Sequence, residues 1–277
     1  MKQLLTTTWH SPRLLLLGNV ALLALFHLLL TWRVIGQTDQ LTLNALCWGA
    51  LLVLLRRQQN RLRLGSDRFS SLMGALLLGL MLTRSVSLFR FESDFVRVFP
   101  GLALLGLGLL ASGTRLRQYW RECLLLIIIM LPKGPTERLL EVTIGEPIQV
   151  FTAQFATFIL HYLGVNVVRQ GLVIRLDQGA VEVWFHCTGI PVLILLLQLV
   201  LLLVVVTPPG RRMGLGLVGA VVAIAFTVSS IRVALMALVV ANPDTFAYWH
   251  GSEGAQIFSM IAIGLLGVVG YVSGAVK

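Results

Sequence analysis

Apolar residues fill most of this chain in long blocks, and polar residues gather in the short gaps between them. A helix that crosses a bilayer needs about 20 predominantly apolar residues. Eight blocks read as spans: 14–35, 40–55, 69–89, 95–112, 122–131, 187–206, 213–241 and 254–275. The second and fifth are short and call for flanking residues or tilt. The pattern predicts an all-α polytopic membrane protein with about eight transmembrane helices.

The segment 132–186 departs from this rhythm. From Glu146 to Leu163, the residues Ile148, Phe151, Phe155, Phe158 and Ile159 recur at helical spacing, with Gln149, Thr152, Gln154 and Thr157 between them. This predicts an amphipathic helix in the membrane interface. The stretch 167–185 is β-branched, partly alternating and broken at Asp177-Gln178-Gly179, which predicts a small β-hairpin. The hairpin delivers the chain to Cys187. Three regions result: a five-span part, 1–131; the helix and hairpin, 132–186; and a three-span part, 187–277.

Composition narrows the class. The chain is 57% hydrophobic and 12% charged, against roughly 25% charged in soluble domains. A net charge of +10 would suit a nucleic-acid partner, but the basic residues sit in short loops between apolar blocks, where they orient a membrane protein. With Lys2 and Arg13 in the cytoplasm, eight crossings put Arg56, Arg57, Arg61, Arg63, Arg68, Arg115, Arg117, Arg121, Arg211, Arg212 and Lys277 on the same side. Most acids, among them Asp39, Glu92, Asp94, Glu137, Glu141, Glu146, Asp177, Glu182, Asp244 and Glu253, fall outside. The expected location is the inner (plasma) membrane, multi-pass, with the segment 132–186 extracytoplasmic. The first block lacks a small-residue cleavage site, so no cleavable signal is expected.

Of the three cysteines, Cys47, Cys123 and Cys187, the first two read as packing residues. Cys187 stands at the outer mouth of the sixth span. Arg232 lies in the seventh, roughly 13 Å below its outer end at ~1.5 Å per residue, where an arginine costs ~2.5 kcal/mol or more and marks a functional site. His250 opens the eighth. These three fall on one side at similar depth. A thiol needs a nearby cation or base to become nucleophilic. An imidazole can take and return a proton, and a guanidinium can hold an oxyanion. His186 is a rival base, ranked lower because adjacent side chains point apart. Arg84 is an accessory polar group. His27 and His161 read as structural.

The motifs Cys187-Thr188-Gly189-Ile190, Ser229-Ser230-Ile231-Arg232-Val233 and His250-Gly251-Ser252-Glu253-Gly254 resemble those of the exosortase/archaeosortase family over roughly 165–260. Early spans with short basic loops are similar to those of cyanobacterial exosortases. The resemblance implies an integral-membrane cysteine transpeptidase with catalytic Cys187, Arg232 and His250. It would act on membrane-anchored proteins whose carboxy-terminal sorting signal has a Pro-Glu-Pro-like motif, one span and a basic tail. Three positions depart from the family pattern: Thr188 replaces a serine, His186 a small residue and Ser229 an asparagine.

No spaced ligand set predicts a metal, no glycine-rich phosphate loop predicts a nucleotide, and no cofactor or nucleic-acid partner is expected. The glycines at 214, 216 and 219 are expected to allow close helix packing. Two rival readings are a transporter, which would place polar groups at the mid-plane, and a non-catalytic membrane assembly factor, which would tolerate loss of the thiol.

Overall fold

A computed structural model describes residues 12–58, 60–86, 93–131, 133–207 and 210–274. Lys2, Glu92 and Lys277, and the last residues of the predicted third and eighth spans, lie outside the described residues. The described chain is overwhelmingly helical with one small sheet. It forms two compact units, 1–131 and 132–277.

The first unit contains α1 (Pro12–Val34), α2 (Thr38–Gln58), α3 (Arg68–Val86), α4 (Ser93–Ser112), a 3-10 turn (Leu116–Tyr119) and α5 (Trp120–Met130). Its helices pair through two devices. Between α3 and α4, Gly74 and Gly106 let the backbones meet: a Cβ on Gly74 would stand 2.6 Å from the Gly106 carbonyl oxygen. Small residues at a membrane helix crossing allow this approach. Around α1, polar groups do the tying. The buried His27 ring accepts from Trp48 Nε1 on α2 at 2.9 Å, so its Nε2 donates to the Val96 carbonyl on α4 at 3.0 Å. His27 is therefore a satisfied core residue, as its apolar setting in the sequence implies.

The second unit contains α6 (Lys133–Tyr162), strands β1 (Val167–Gln170), β2 (Val173–Leu176) and β3 (Gly179–Glu182), a 3-10 turn (Phe185–Cys187), α7 (Ile190–Val206), α8 (Arg211–Leu238), α9 (Pro243–His250) and α10 (Ser252–Val272). The sheet is antiparallel in the order β1-β2-β3, with Arg169 opposite Ile174 and Ile174 opposite Val181. It has one strand more than the expected hairpin, because the chain also turns at Gly171, whose φ of 62° suits a two-residue loop.

Among the described residues, five helices are long and apolar enough to span a bilayer: α1, α2, most of α4, α8 and α10. The helix α7 is apolar but shorter. The predicted third and fifth spans form α3 and α5. Polar and basic residues dilute α3, and α5 has only 11 residues, or about 16 Å.

The predicted interfacial helix also differs. It begins at Lys133, contains Pro147 and runs for 30 residues. Its core face consists of Ala153, Ala156 and Leu160, all fully buried, while Phe151 and Phe158 are exposed. Close packing against the sheet and α8 selects small side chains, so the aromatic stripe faces outward. Phe151 and Phe155 meet the ring of Phe226 on α8 at 4.4 and 5.2 Å. Gly216 and Gly219 face open space. The close backbone contact of α8 is made at Gly189 instead, and Gly179 meets Val240 just beyond the helix end.

Candidate functional site

Cys187 ends a 3-10 turn and precedes α7, which starts at Ile190 rather than at the cysteine. Two hydrogen bonds to the Phe185 carbonyl, from the Thr188 N–H at 3.0 Å and the Thr188 hydroxyl at 2.7 Å, hold the turn. Thr188 Oγ1 in turn accepts from the Ile190 N–H at 3.4 Å. The hydroxyl thus bridges the turn and the first helical residue, as a capping side chain does. Gly189 has a different task. A Cβ there would lie 3.1 Å from the carbonyl carbon and oxygen of Ala225 and from Cα of Phe226. Only a glycine lets the start of α7 press so closely on the α8 backbone. The Cys-Thr-Gly sequence thus encodes a fixed turn, docked on α8, with the thiol at its end.

The thiol is buried, in one core with Ala153, Ala156 and Leu160 of α6, Ile174 and Val181 of the sheet, and Val233, Ala234 and Ala237 of α8. Trp249 of α9 packs against the same core. Burial pushes the Cys187 thiol up from its ordinary pKa, while the charge of Arg232 and the Trp184 backbone pull it down. Burial is the larger effect, so Cys187 needs a base or a change of surroundings to ionise.

Arg232 is 9% exposed. Its Nε and Nη2 donate to the Trp249 carbonyl at 3.2 and 3.1 Å, and Nη2 donates to the His250 carbonyl at 2.9 Å. These are among the last carbonyls of α9, which have no partner inside the helix and carry its negative dipole end. A guanidinium has five N–H donors. Here the two on Nη1 make no hydrogen bond among the described residues. The arginine is therefore oriented by one side of its fork and has donors left on the other.

The helix α9 falls between the predicted spans, and its start carries clear signals. Asn242 Oδ1 accepts from the Thr245 N–H at 3.0 Å, and Pro243 occupies the first helical turn. An asparagine cap followed by proline is a helix start. The helix ends at Gly251. Beyond it, Gly254 allows the first turn of α10 to fold against Trp249: a Cβ would lie 2.6 Å from the Trp249 carbonyl oxygen. That oxygen is the acceptor that orients Arg232, so His-Gly-Ser-Glu-Gly shapes the guanidinium's seat. Trp249 is a site residue that the sequence reading missed, because it acts through its backbone.

The remaining predicted residues are placed as follows. The His250 imidazole is exposed and stacks on Phe246 with centroids 5.5 Å apart; it makes no hydrogen bond to Cys187. His186 is exposed next to the thiol, while its neighbours Phe185 and Cys187 are buried, the alternation expected of adjacent side chains. Ser229 is buried one turn before Arg232, and the hydroxyl of the adjacent, fully buried Ser230 has no hydrogen-bond partner among the described residues. Arg84 belongs to the first unit, exposed in the last turn of α3. Cys47 is buried in α2 and Cys123 is exposed on α5.

Comparison with known proteins matches the chain to the family model described as Transmembrane exosortase, over residues 11–267. No curated protein and no solved structure matches the chain. The match takes in nearly all of both units, including the turn at Cys187, the seat of Arg232 and the start of α10. The chain belongs to the transmembrane exosortase family.

Proposed function

We propose that this protein is a membrane cysteine peptidase and transpeptidase that cleaves a carboxy-terminal sorting signal from exported proteins. Cys187 is the nucleophile, Arg232 stabilises the oxyanion and His250 transfers the proton. The site faces the extracytoplasmic side of the plasma membrane. The substrate is anchored by its own span, with a Pro-Glu-Pro-like motif outside and a basic tail inside.

One observation carries this reading: a guanidinium held on the Trp249 and His250 carbonyls, with the two N–H groups of Nη1 unengaged among the described residues, is seated by the same Trp249 that packs against the core around the Cys187 thiol. An arginine that must receive charge during reaction keeps some donors in reserve.

In the proposed reaction the extended motif lies along the small sheet, whose outer strands can pair with a peptide. The Cys187 proton passes to His250 as sulfur attacks the scissile carbonyl. Tetrahedral charge forms on the carbonyl oxygen and is held by Arg232 Nη1. Collapse expels the amine, which takes the proton from His250, and leaves a thioester on Cys187. An acceptor amine, hydroxyl or water then releases the product. His250 must first leave Phe246, a rotation that an exposed side chain makes in picoseconds to nanoseconds.

The test is processing of a tailed reporter in cells, with membrane levels of each variant matched. Cys187→Ala is expected to abolish processing. His250→Ala should reduce it by about two orders of magnitude or more, and His186→Ala should leave it within a few-fold of wild type. A larger loss for His186→Ala than for His250→Ala would transfer the base role to His186. Full processing by Cys187→Ala would favour a non-catalytic assembly factor.

A further inference from the structure

We propose that the first unit holds a lipid site: a phospholipid with a primary-ammonium headgroup, its ammonium on Glu122 and one acyl chain along the apolar cavity beside that carboxyl.

The cavity has a volume of about 290 Å³ and is walled by Leu16 of α1, Leu51 of α2, Leu107 of α4, and Tyr119, Leu126 and Met130 of the turn and α5. Among these apolar walls stands Glu122, which is 4% exposed. Neither of its carboxyl oxygens has a hydrogen-bond partner among the described residues. The nearby Tyr119 hydroxyl is engaged with Ser112 Oγ at 2.6 Å. The charge of Arg121 acts on this carboxyl, but a buried carboxylate without a hydrogen-bond donor is still unfavourable unless it takes up a proton or a ligand supplies a donor. An ammonium supplies both the counter-charge and the N–H groups.

Volume decides the shape of the guest. A helix with side chains is at least about 10 Å across, and a span is about 30 Å long, so a whole span needs far more room than this cavity offers. A single alkyl chain fits; a protein span does not. Leu105 and Ile127, which also line the cavity, are 41% and 58% exposed and bring it to the surface of the unit.

A neighbouring basic pocket suits a phospholipid rather than a free amine. Arg115 precedes the cavity-lining Leu116 in sequence, and with Arg13 and Arg63 it lines a second cavity of about 570 Å³ whose lining has no acidic residue among the described residues. Arginines of this kind pair with phosphate. Trp120, next to Glu122's turn, is 60% exposed, in keeping with an aromatic side chain at headgroup level. Phosphate on the arginines and ammonium on the carboxyl together describe a zwitterionic headgroup that carries N–H donors.

The full-length protein is placed in nanodiscs of equal parts palmitoyl-oleoyl phosphatidylethanolamine, phosphatidylcholine and phosphatidylglycerol, and retained lipids are counted by native mass spectrometry. Phosphatidylcholine has the same charges without the N–H groups, and phosphatidylglycerol has no ammonium. Wild type is expected to retain phosphatidylethanolamine over phosphatidylcholine by about threefold or more. Glu122→Gln should erase that preference, and Leu105→Trp, which fills the cavity mouth, should lower all retained lipid. Dodecylamine, the same head on one chain, should displace the lipid more weakly, since it lacks the phosphate. Equal retention of the two zwitterionic lipids by wild type overturns the proposal without recourse to any variant. So does a preference that survives Glu122→Gln, or a preference for phosphatidylglycerol alone, which would leave the arginines as the whole site.

Discussion

The Cys187 thiol is pulled two ways, and its reactivity reports which pull wins. Burial raises its pKa and the Arg232 charge lowers it, with burial the larger effect. A thiol raised in this way is protonated at neutral pH and ionises as pH rises toward its pKa. Alkylation of Cys187 by a small maleimide should therefore climb steadily from pH 7 to pH 9 (about two units) without levelling off. Arg232→Gln removes the lowering influence and should slow alkylation at every pH in that window. Reading the modified peptide by mass spectrometry separates Cys187 from the exposed Cys123. A plateau near pH 7 would show instead that the free enzyme holds a thiolate. The sequence revealed the three residue types and their order, because an arginine inside a span and a cysteine at its mouth are costly or reactive by nature. It did not reveal the seat of the guanidinium: backbone carbonyls leave no mark in a side-chain pattern, and so Trp249 was missed.

At the level of elements, one glycine seats the turn that carries the thiol and another seats the carbonyl that holds the guanidinium. Gly189 lets α7 start against the Ala225 backbone, and Gly254 lets α10 start against the Trp249 backbone. In both places the obstruction to a Cβ is main chain, which cannot swing aside as a side chain can. Gly189→Ala and Gly254→Ala should each destabilise the protein by about 1–3 kcal/mol, with Gly254→Ala the worse, since its contact is 2.6 Å rather than 3.1 Å. Gly267→Ala, on α10 with nothing within 4 Å of the added carbon, is the control and should be neutral or slightly stabilising. Thermal unfolding in detergent, followed by circular dichroism, checks the order; a Gly254→Ala protein as stable as Gly267→Ala would contradict it. Element type was largely legible from apolar periodicity. Facing was not: the small core face of α6 and the extra strand at Gly171 follow from partners far away in sequence, and local pattern favoured the larger aromatic face.

For the molecule as a whole, charge placement guides orientation. Positive loops predict that the sheet lies outside and that the turn at 116–119 lies inside. Gln178→Cys, at the exposed turn between β2 and β3, in a Cys47→Ser, Cys123→Ser and Cys187→Ser background, should react with a membrane-impermeant maleimide in right-side-out spheroplasts. Gln118→Cys in the same background should react only after lysis. The opposite pattern would invert the topology and put the site in the cytoplasm. The most direct test of the central claim, that Cys187 attacks a peptide carbonyl with Arg232 receiving the charge, is to trap the acyl-enzyme. Wild type and Arg232→Lys are incubated with a tailed substrate, quenched in acid and digested, and the Cys187 peptide is weighed. A hydroxylamine-labile thioester on Cys187 is expected in wild type, with formation slowed about a hundredfold in Arg232→Lys. Substrate cleavage at the normal rate with no acyl group ever found on Cys187, and undiminished by Cys187→Ala, would contradict the account.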